Sequence, residues 1–182
     1  MNSQERFETR RIFQRKGTSQ NLVRELLQMM FLGEMLAPGP DRACLVSPWI
    51  SNVVIFDNRA GGFKAINPDW GSREIRLIEV IVDIMARGKS FGIATNHSDH
   101  NDSFINELTS LVSEFGLTKN LEITRRENLH IKGLLLQKGV LSGSMNFTYS
   151  GFEINEESVL FETSADSLAR MQINFGTYWY DK

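Results

Sequence analysis

The stretch from Asn128 to Glu157 constrains the fold of this 182-residue chain more than any other part of it. Its apolar run, Gly133 to Leu136, is typical of a buried strand, and Lys138-Gly139 predicts a tight turn into a returning strand. We expect a three-residue loop with Gly139 in the left-handed conformation, which pairs Leu136 with Val140. A two-residue loop would shift the register by one residue and divide the flanking polar residues between the two faces of the sheet.

Polar side chains flank this hairpin on both sides. His130 and Lys132 precede it, and Ser144 and Asn146 follow it. In the expected register Lys132 lies opposite Ser144 and His130 lies opposite Asn146, so all four side chains share one face. Such a group suits metal-free attack on a phosphodiester, with His130 as nucleophile and the other three side chains holding the phosphate oxygens. Glu157 lies in an alternating segment that we expect to return as a neighbouring strand, and it is the candidate for fixing the tautomer of His130.

The order His130-x-Lys132, then Gly-Ser-x-Asn at 143–146, then Asn155 and Glu157 resembles the HKD motif of the phospholipase D superfamily. The likeness is closest to the short, single-motif nucleases of that family. The resemblance implies that His130 attacks phosphorus, that Lys132, Ser144 and Asn146 bind the phosphate, and that Glu157 holds the histidine. It also implies a homodimer, in which a second copy of His130 serves as general acid.

Two departures from the family pattern accompany the resemblance. Gln137 occupies the place of an aspartate five residues after the lysine, and the segment before the Gly-Ser pair is one residue shorter. The segment Leu45 to Ser51 also resembles the first core strand of such domains. The expected fold is therefore α/β, a phospholipase D-like mixed β-sheet flanked by helices. We expect one domain over residues 1–182, with a flexible, basic N-terminus over residues 1–18.

Hydrophobic periodicity and turn residues predict the remaining elements, which alternate between helix and strand. Helices are expected at 20–35, 72–88 (with Ser72 as N-cap), 102–115 and 165–179. Strands are expected at 43–50, 53–56, 90–95 and 121–125. This order favours a mixed sheet covered by helices, without internal repeats.

Composition fits one compact domain, because a hydrophobic content of 41% suffices for a sizeable core. No apolar run is long enough to span a bilayer, and residues 1–20 lack the apolar segment of a secretory signal. Cys44 lies alone in an apolar strand, so we expect it to pack as a small hydrophobic residue in a reducing compartment. These features predict a cytoplasmic location and no membrane association.

The loop from Asn96 to Asp102 offers two histidines and two carboxylates, a composition that can bind a divalent metal. The competing interpretation is that Asn, Asp and Ser favour loops before helices for backbone reasons, and that the loop borders the substrate cleft. We favour the second interpretation and expect no metal and no cofactor. The expected cleft-lining residues are Ser47, Trp49, His97 and Arg126. Trp49 and Trp70 are candidates for base stacking, although an isolated tryptophan is more often a core or interface residue.

A net charge of −2 argues against strong, sequence-independent binding to phosphates, yet Arg125-Arg126 leads directly towards His130. We therefore predict a metal-independent phosphodiesterase, a nuclease acting on DNA or RNA through a phosphohistidine. The alternative is a non-catalytic nucleic-acid-binding or assembly subunit with a degenerate HKD site. A lipid phosphodiesterase is disfavoured because no amphipathic surface segment is evident. In size and general character the chain also resembles the phospholipase D-like component of bacterial gene clusters linked to DNA deazapurine modification and restriction. That resemblance implies other subunits of a defence or modification system as partners.

Overall fold

The computed structural model describes residues 8–15 and 20–180, which form nine strands and five α-helices. The strands are β1 (Thr9–Gln14), β2 (Arg42–Val46), β3 (Val54–Asp57), β4 (Glu74–Arg76), β5 (Ser90–Thr95), β6 (Leu121–Arg125), β7 (Gly133–Leu136), β8 (Gly139–Gly143) and β9 (Glu157–Glu162). The helices are α1 (Gln20–Leu36), α2 (Leu77–Ala86), α3 (Asp102–Glu114), α4 (Tyr149–Glu153) and α5 (Ala165–Tyr180).

Seven strands form one mixed sheet in the order β1-β9-β8-β7-β2-β5-β6. The three strands β2, β5 and β6 run parallel, whereas the pairings from β2 through β7, β8 and β9 to β1 are antiparallel. Strands β3 and β4 form a separate two-stranded sheet. The α/β mixed sheet flanked by helices is confirmed. Because the parallel strands end at the same edge, the loops after β2, β5 and β6 meet there.

Helices cover the two faces of the sheet unequally. In β2, Ala43 and Leu45 pack into a large hydrophobic cluster with residues of α1, α2 and α3. Cys44 and Val46 point to the opposite face, where a smaller cluster contains Phe175 of α5. Cys44 is buried, as predicted for a small hydrophobic residue.

Helix α2 begins later than predicted, at Leu77, and Ser72 does not cap it. Residues 74–76 instead pair with β3 and bury Ile75. Asn52, 26 residues earlier in the sequence, provides an acceptor for a free backbone N–H group in the first turn of the helix. Its Oδ1 accepts a hydrogen bond of 3.1 Å from the Ile78 backbone nitrogen. The later start is thus accompanied by two tertiary contacts, to β3 and to Asn52, and by a local hydrogen bond of 3.0 Å from the Arg76 backbone nitrogen to the Glu79 carboxylate.

The flexible N-terminus predicted for residues 1–18 is wrong for the segment Thr9–Gln14. That segment forms edge strand β1 on β9, and Gln14 is buried with its amide nitrogen donating to the carbonyl oxygens of Gly151 and Phe152, at 3.0 and 2.9 Å. Residues 1–7 and 16–18 lie outside the described part of the chain. None of the described helices is both long and apolar enough to cross a membrane.

Candidate active site

The hairpin that carries the motif has a two-residue loop, so the predicted three-residue loop is wrong. Leu136 pairs with Gly139 and Gly133 pairs with Ser142. Gly139 has no positive φ. The glycine is needed for space instead, because a Cβ atom there would lie 2.5 Å from a ring carbon of Phe161. Close packing between β8 and β9, rather than turn geometry, accounts for this residue.

The two halves of the motif still meet, although not in the predicted register. Strand β7 begins only at Gly133, and the Gly143 backbone nitrogen donates to the Lys132 carbonyl oxygen at 3.3 Å. Lys132 therefore bonds to Gly143 and is not paired with Ser144. Gly143 has a φ of +152°, and a Cβ atom there would lie 2.1 Å from the Ser158 carbonyl oxygen. Only glycine permits this approach of the chain to β9.

Glu157 lies inside β9, as the alternating pattern predicted, and is buried. Its carboxylate accepts a short hydrogen bond from the Ser144 hydroxyl and a second one, of 3.2 Å, from the Asn155 side-chain amide. The Ser144 oxygen in turn accepts a bond from the Ser158 backbone nitrogen at 3.0 Å. The structure thus gives Glu157 the role of holding Ser144, and no hydrogen bond among the described residues joins it to His130.

His130 and Lys132 lie in an irregular segment directly before β7. The Lys132 ammonium donates to the His130 carbonyl oxygen at 2.6 Å, which ties the cation to the backbone of the histidine. The His130 side chain is exposed. Within the described residues its imidazole makes no hydrogen bond, so both ring nitrogens face the cleft or solvent.

Asn146 is positioned by Ser47, a residue that we expected in the cleft wall. Ser47 is fully buried at the end of β2, so its predicted lining role is wrong. Its hydroxyl lies 2.8 Å from the Trp49 carbonyl oxygen and 3.5 Å from the Asn146 Oδ1, and it accepts from the Phe147 backbone nitrogen at 3.2 Å. This arrangement turns the Asn146 Oδ1 towards Ser47 and leaves its amide N–H groups for other acceptors.

An open cleft of about 650 Å³ lies beside His130. His97 and Arg126, two of the four expected lining residues, stand in its wall together with Arg125 and Tyr178 of α5. The Arg126 guanidinium donates to the Tyr178 carbonyl oxygen at 2.7 Å and so joins the end of α5 to the chain after β6. Burial raises the pKa of the Tyr178 phenol, an effect that Arg126 partly opposes. The phenol is therefore protonated at neutral pH.

Neither Trp49 nor Trp70 lies in the wall of the cleft that contains His130. Trp70 is buried and packs on Phe56, with ring centroids 5.2 Å apart, so it is the core residue that an isolated tryptophan more often is, and it is not available for base stacking. Trp49 is 38% exposed and lies outside the wall of the cleft that contains His130. The aromatic residue that the structure does place in this wall, Tyr178, gave no signal in the sequence, because it lies at the far end of the chain from the motif.

The loop that contains His97 and His100 is organised by Asn101, which is buried and donates to the Pro48 carbonyl oxygen at 2.9 Å. His100 hydrogen-bonds to Ser51 at 3.0 Å. Asp102 pairs with Arg125 at 2.6 Å. Over residues 8–15 and 20–180, no three His, Cys, Asp or Glu side chains are grouped so as to hold a metal ion. The backbone interpretation accounts for the composition of this loop.

Comparison with known proteins agrees with the sheet. A family model described as "Cardiolipin synthase, PLD-like domain" matches residues 69–179, more than half of the chain. The chain belongs to this phospholipase D-like family. No curated protein matches it in sequence.

Several solved structures share the fold at low sequence identity. NucT from Helicobacter pylori is 15% identical with a TM-score of 0.59, covering 94% of this chain and 96% of that one. Nuc from Salmonella typhimurium, a phospholipase D family member, is 13% identical with a TM-score of 0.60, covering 94% and 93%. TrmBL2, described as an archaeal chromatin protein with a novel mode of DNA binding, is 14% identical with a TM-score of 0.53, covering 98% and 55%.

Gln137, which the resemblance to the family places where an aspartate is expected, contacts a buried polar network that the sequence analysis missed. Its backbone nitrogen donates to Glu34 of α1 at 2.6 Å, and its side-chain oxygen accepts from Lys89 at 3.5 Å. Glu34 and Lys89 form an ion pair of 3.0 Å with exposures of 0% and 1%. The sequence does contain a signal that Glu34 is buried, because Glu34 lies on the same face of α1 as the core residues Leu27 and Phe31. The carboxylate that binds the backbone of the hairpin turn is therefore that of Glu34 in α1, and it does not come from position 137 itself.

Proposed function

We propose that this protein is a phosphodiesterase, and most specifically a nuclease, in which His130 forms a covalent bond to phosphorus. The observation that carries the proposal is the backbone hydrogen bond from Gly143 to Lys132, which joins both halves of the motif beside the cleft that His130 lines. The chain contributes one imidazole in the cleft wall, one ammonium tied to the backbone of that histidine, and one side-chain amide on the segment that follows β8. These are the groups that a nucleophilic displacement at a phosphodiester requires.

The proposed reaction has two displacements. A ring nitrogen of His130 bonds to phosphorus while the bond from phosphorus to the leaving oxygen breaks, and that oxygen takes a proton from the second copy's His130 in a homodimer. Water then attacks phosphorus, gives a proton to that second imidazole and releases a phosphate monoester with His130 restored. Lys132 and the Asn146 amide hold the non-bridging oxygens as negative charge develops on them.

Glu157 and Ser144 have supporting roles in this proposal. The only hydroxyl proton of Ser144 goes to Glu157, so Ser144 in this arrangement fixes the Gly-Ser segment and adds no donor to the phosphate. Glu157 therefore anchors the segment that carries Asn146 and leaves the imidazole free to turn towards phosphorus.

The decisive experiment compares wild type with His130→Ala and His100→Ala on bis(p-nitrophenyl) phosphate and on single-stranded oligonucleotides, with EDTA present. We expect wild type and His100→Ala to cleave, and His130→Ala to be inactive. Wild type quenched in alkali should carry an acid-labile phosphoryl group that is absent in His130→Ala. Equal activity in wild type and His130→Ala would refute the proposal. Loss of activity on chelation, restored by a divalent ion, would transfer the role to the loop of His97 and His100.

One alternative has an observation in its favour. Gln137 stands where the family motif has an aspartate. In addition, TrmBL2, described as an archaeal chromatin protein with a novel mode of DNA binding, shares this fold over 98% of the present chain. A non-catalytic subunit that binds nucleic acid would bind oligonucleotides equally well in wild type and His130→Ala, and neither would cleave them. Membership of a DNA-modification or restriction system, with further subunits as partners, stays a prediction that co-purification from the native host tests.

A further inference from the structure

The cleft beside His130 contains an aromatic side chain that the proposed chemistry does not use. Tyr178 of α5 lies in the same wall as His97 and Arg126, and its side chain is partly exposed. A phosphodiester needs no aromatic partner, whereas the bases that flank a phosphate in nucleic acid do have stacking faces. The position of Tyr178 therefore bears on which substrate the cleft accepts.

The ring of Tyr178 is braced in place. It packs against Phe175 with centroids 6.4 Å apart and against Trp179 with centroids 6.1 Å apart and an interplanar angle of 84°. Its backbone oxygen accepts from Arg126, whose own backbone nitrogen donates to the Thr95 carbonyl oxygen at 2.8 Å. A ring fixed in this way loses little conformational entropy when a planar ligand stacks on it.

Charge around the ring favours a polyanion. Arg125 and Arg126 line the cleft with His97 and His130, and Glu127 is the acidic residue in the same wall. Asp102 contacts one nitrogen of Arg125, which leaves its other N–H groups available. An aromatic platform between cationic side chains is the arrangement by which proteins bind unpaired bases together with their backbone.

We propose that Tyr178 is a substrate-specificity residue that stacks on a base next to the phosphate at His130, so that the cleft selects single-stranded nucleic acid. The inference rests on the proposed function for the position of that phosphate. Single strands are required because a base inside a duplex is already stacked on both faces and cannot reach a side chain in the cleft. Arg126 positions the platform from behind through the backbone of α5.

The test measures binding, so that it does not depend on turnover. Proteins with His130→Ala are titrated with a fluorescent single-stranded oligonucleotide and with the same strand lacking its central bases. We expect about tenfold or more tighter binding of the base-containing strand. Adding Tyr178→Leu should bring this ratio close to one, whereas Tyr178→Phe and the matched control Phe115→Leu, an exposed aromatic at the end of α3, should keep it. The inference would be overturned if the protein with His130→Ala alone bound both strands equally. It would also be overturned if adding Tyr178→Leu left the binding ratio unchanged.

A second measurement covers the case in which Tyr178→Leu does not fold. An oligonucleotide carrying 5-iodouracil is crosslinked by light to the protein with native Tyr178, and the modified peptide is identified by mass spectrometry. Crosslinking at Tyr178 supports stacking, and crosslinking confined to other residues overturns it. Failure of the nuclease proposal is recognised separately, as absence of cleavage by wild type, and leaves both binding readouts intact.

Discussion

Lys132 provides a sharp test of the proposed mechanism. Its ammonium is fixed next to the proposed nucleophile by a hydrogen bond of 2.6 Å to the His130 carbonyl oxygen. We expect Lys132→Ala to lower kcat on an oligonucleotide by about a hundredfold, since it removes a cation that stabilises charge on the phosphate oxygens. Lys138→Ala, in the exposed turn of the same hairpin, is the matched control and should leave kcat unchanged. Similar losses of kcat in both variants would mean that activity depends on the total positive charge of the hairpin and not on the position of the Lys132 ammonium.

Glu34 illustrates a residue whose importance lies in stability. Glu34→Gln leaves the ammonium of Lys89 buried without its carboxylate partner, and we expect a loss of about 3 kcal/mol in the free energy of unfolding. Urea denaturation followed by circular dichroism measures this change. Glu25→Gln, on the exposed face of the same helix, should alter stability by less than about 0.5 kcal/mol. Equal effects would show that the buried pair contributes nothing specific.

At the scale of elements, the end of β8 packs closely against β9 at Gly143. Gly143→Ala introduces a Cβ atom 2.1 Å from the Ser158 carbonyl oxygen at a φ of +152°. We expect a loss of about 3 kcal/mol in stability and a matching loss of cleavage below the melting temperature, because the bond from Gly143 to Lys132 must shift. Gly62→Ala, where no atom lies within 4 Å of the added Cβ, serves as control. Retained activity in Gly143→Ala would disprove this role.

At the scale of the whole molecule, the proposed mechanism uses two imidazoles at one site, and the second is His130 of a second copy of the chain. Light scattering should therefore report a two-fold dimer. When wild type is co-expressed with a growing excess of His130→Ala, specific activity should fall with the square of the wild-type fraction, because mixed dimers lack one of the two imidazoles. Co-expression with His100→Ala should leave activity at the wild-type level. A linear decrease with His130→Ala, or a monomer, would contradict the shared site.

The elements with local signals were predicted well. Strands β5 and β6 were predicted at their observed bounds, and α3 within a residue, because hydrophobic periodicity and flanking glycines are contained in or next to the segments themselves. The buried inward position of Glu157 was likewise read from alternation along β9. Strand β1 was missed because its pattern is mostly polar, and it is a strand only because β9 offers it an edge.

The sequence by itself indicated the family to which this protein belongs and the chemical groups of its candidate site, since His130, Lys132, Ser144 and Asn146 are close along the chain. Tertiary structure alone decided how those groups are arranged. Gly139 leaves the space that Phe161 of the neighbouring strand occupies, and the partner of Glu157 is Ser144 because β8 and β9 adjoin. Tyr178 reaches the cleft because α5 folds back across the sheet. Such contacts join residues far apart in sequence, and their energies depend on distances that no local pattern encodes.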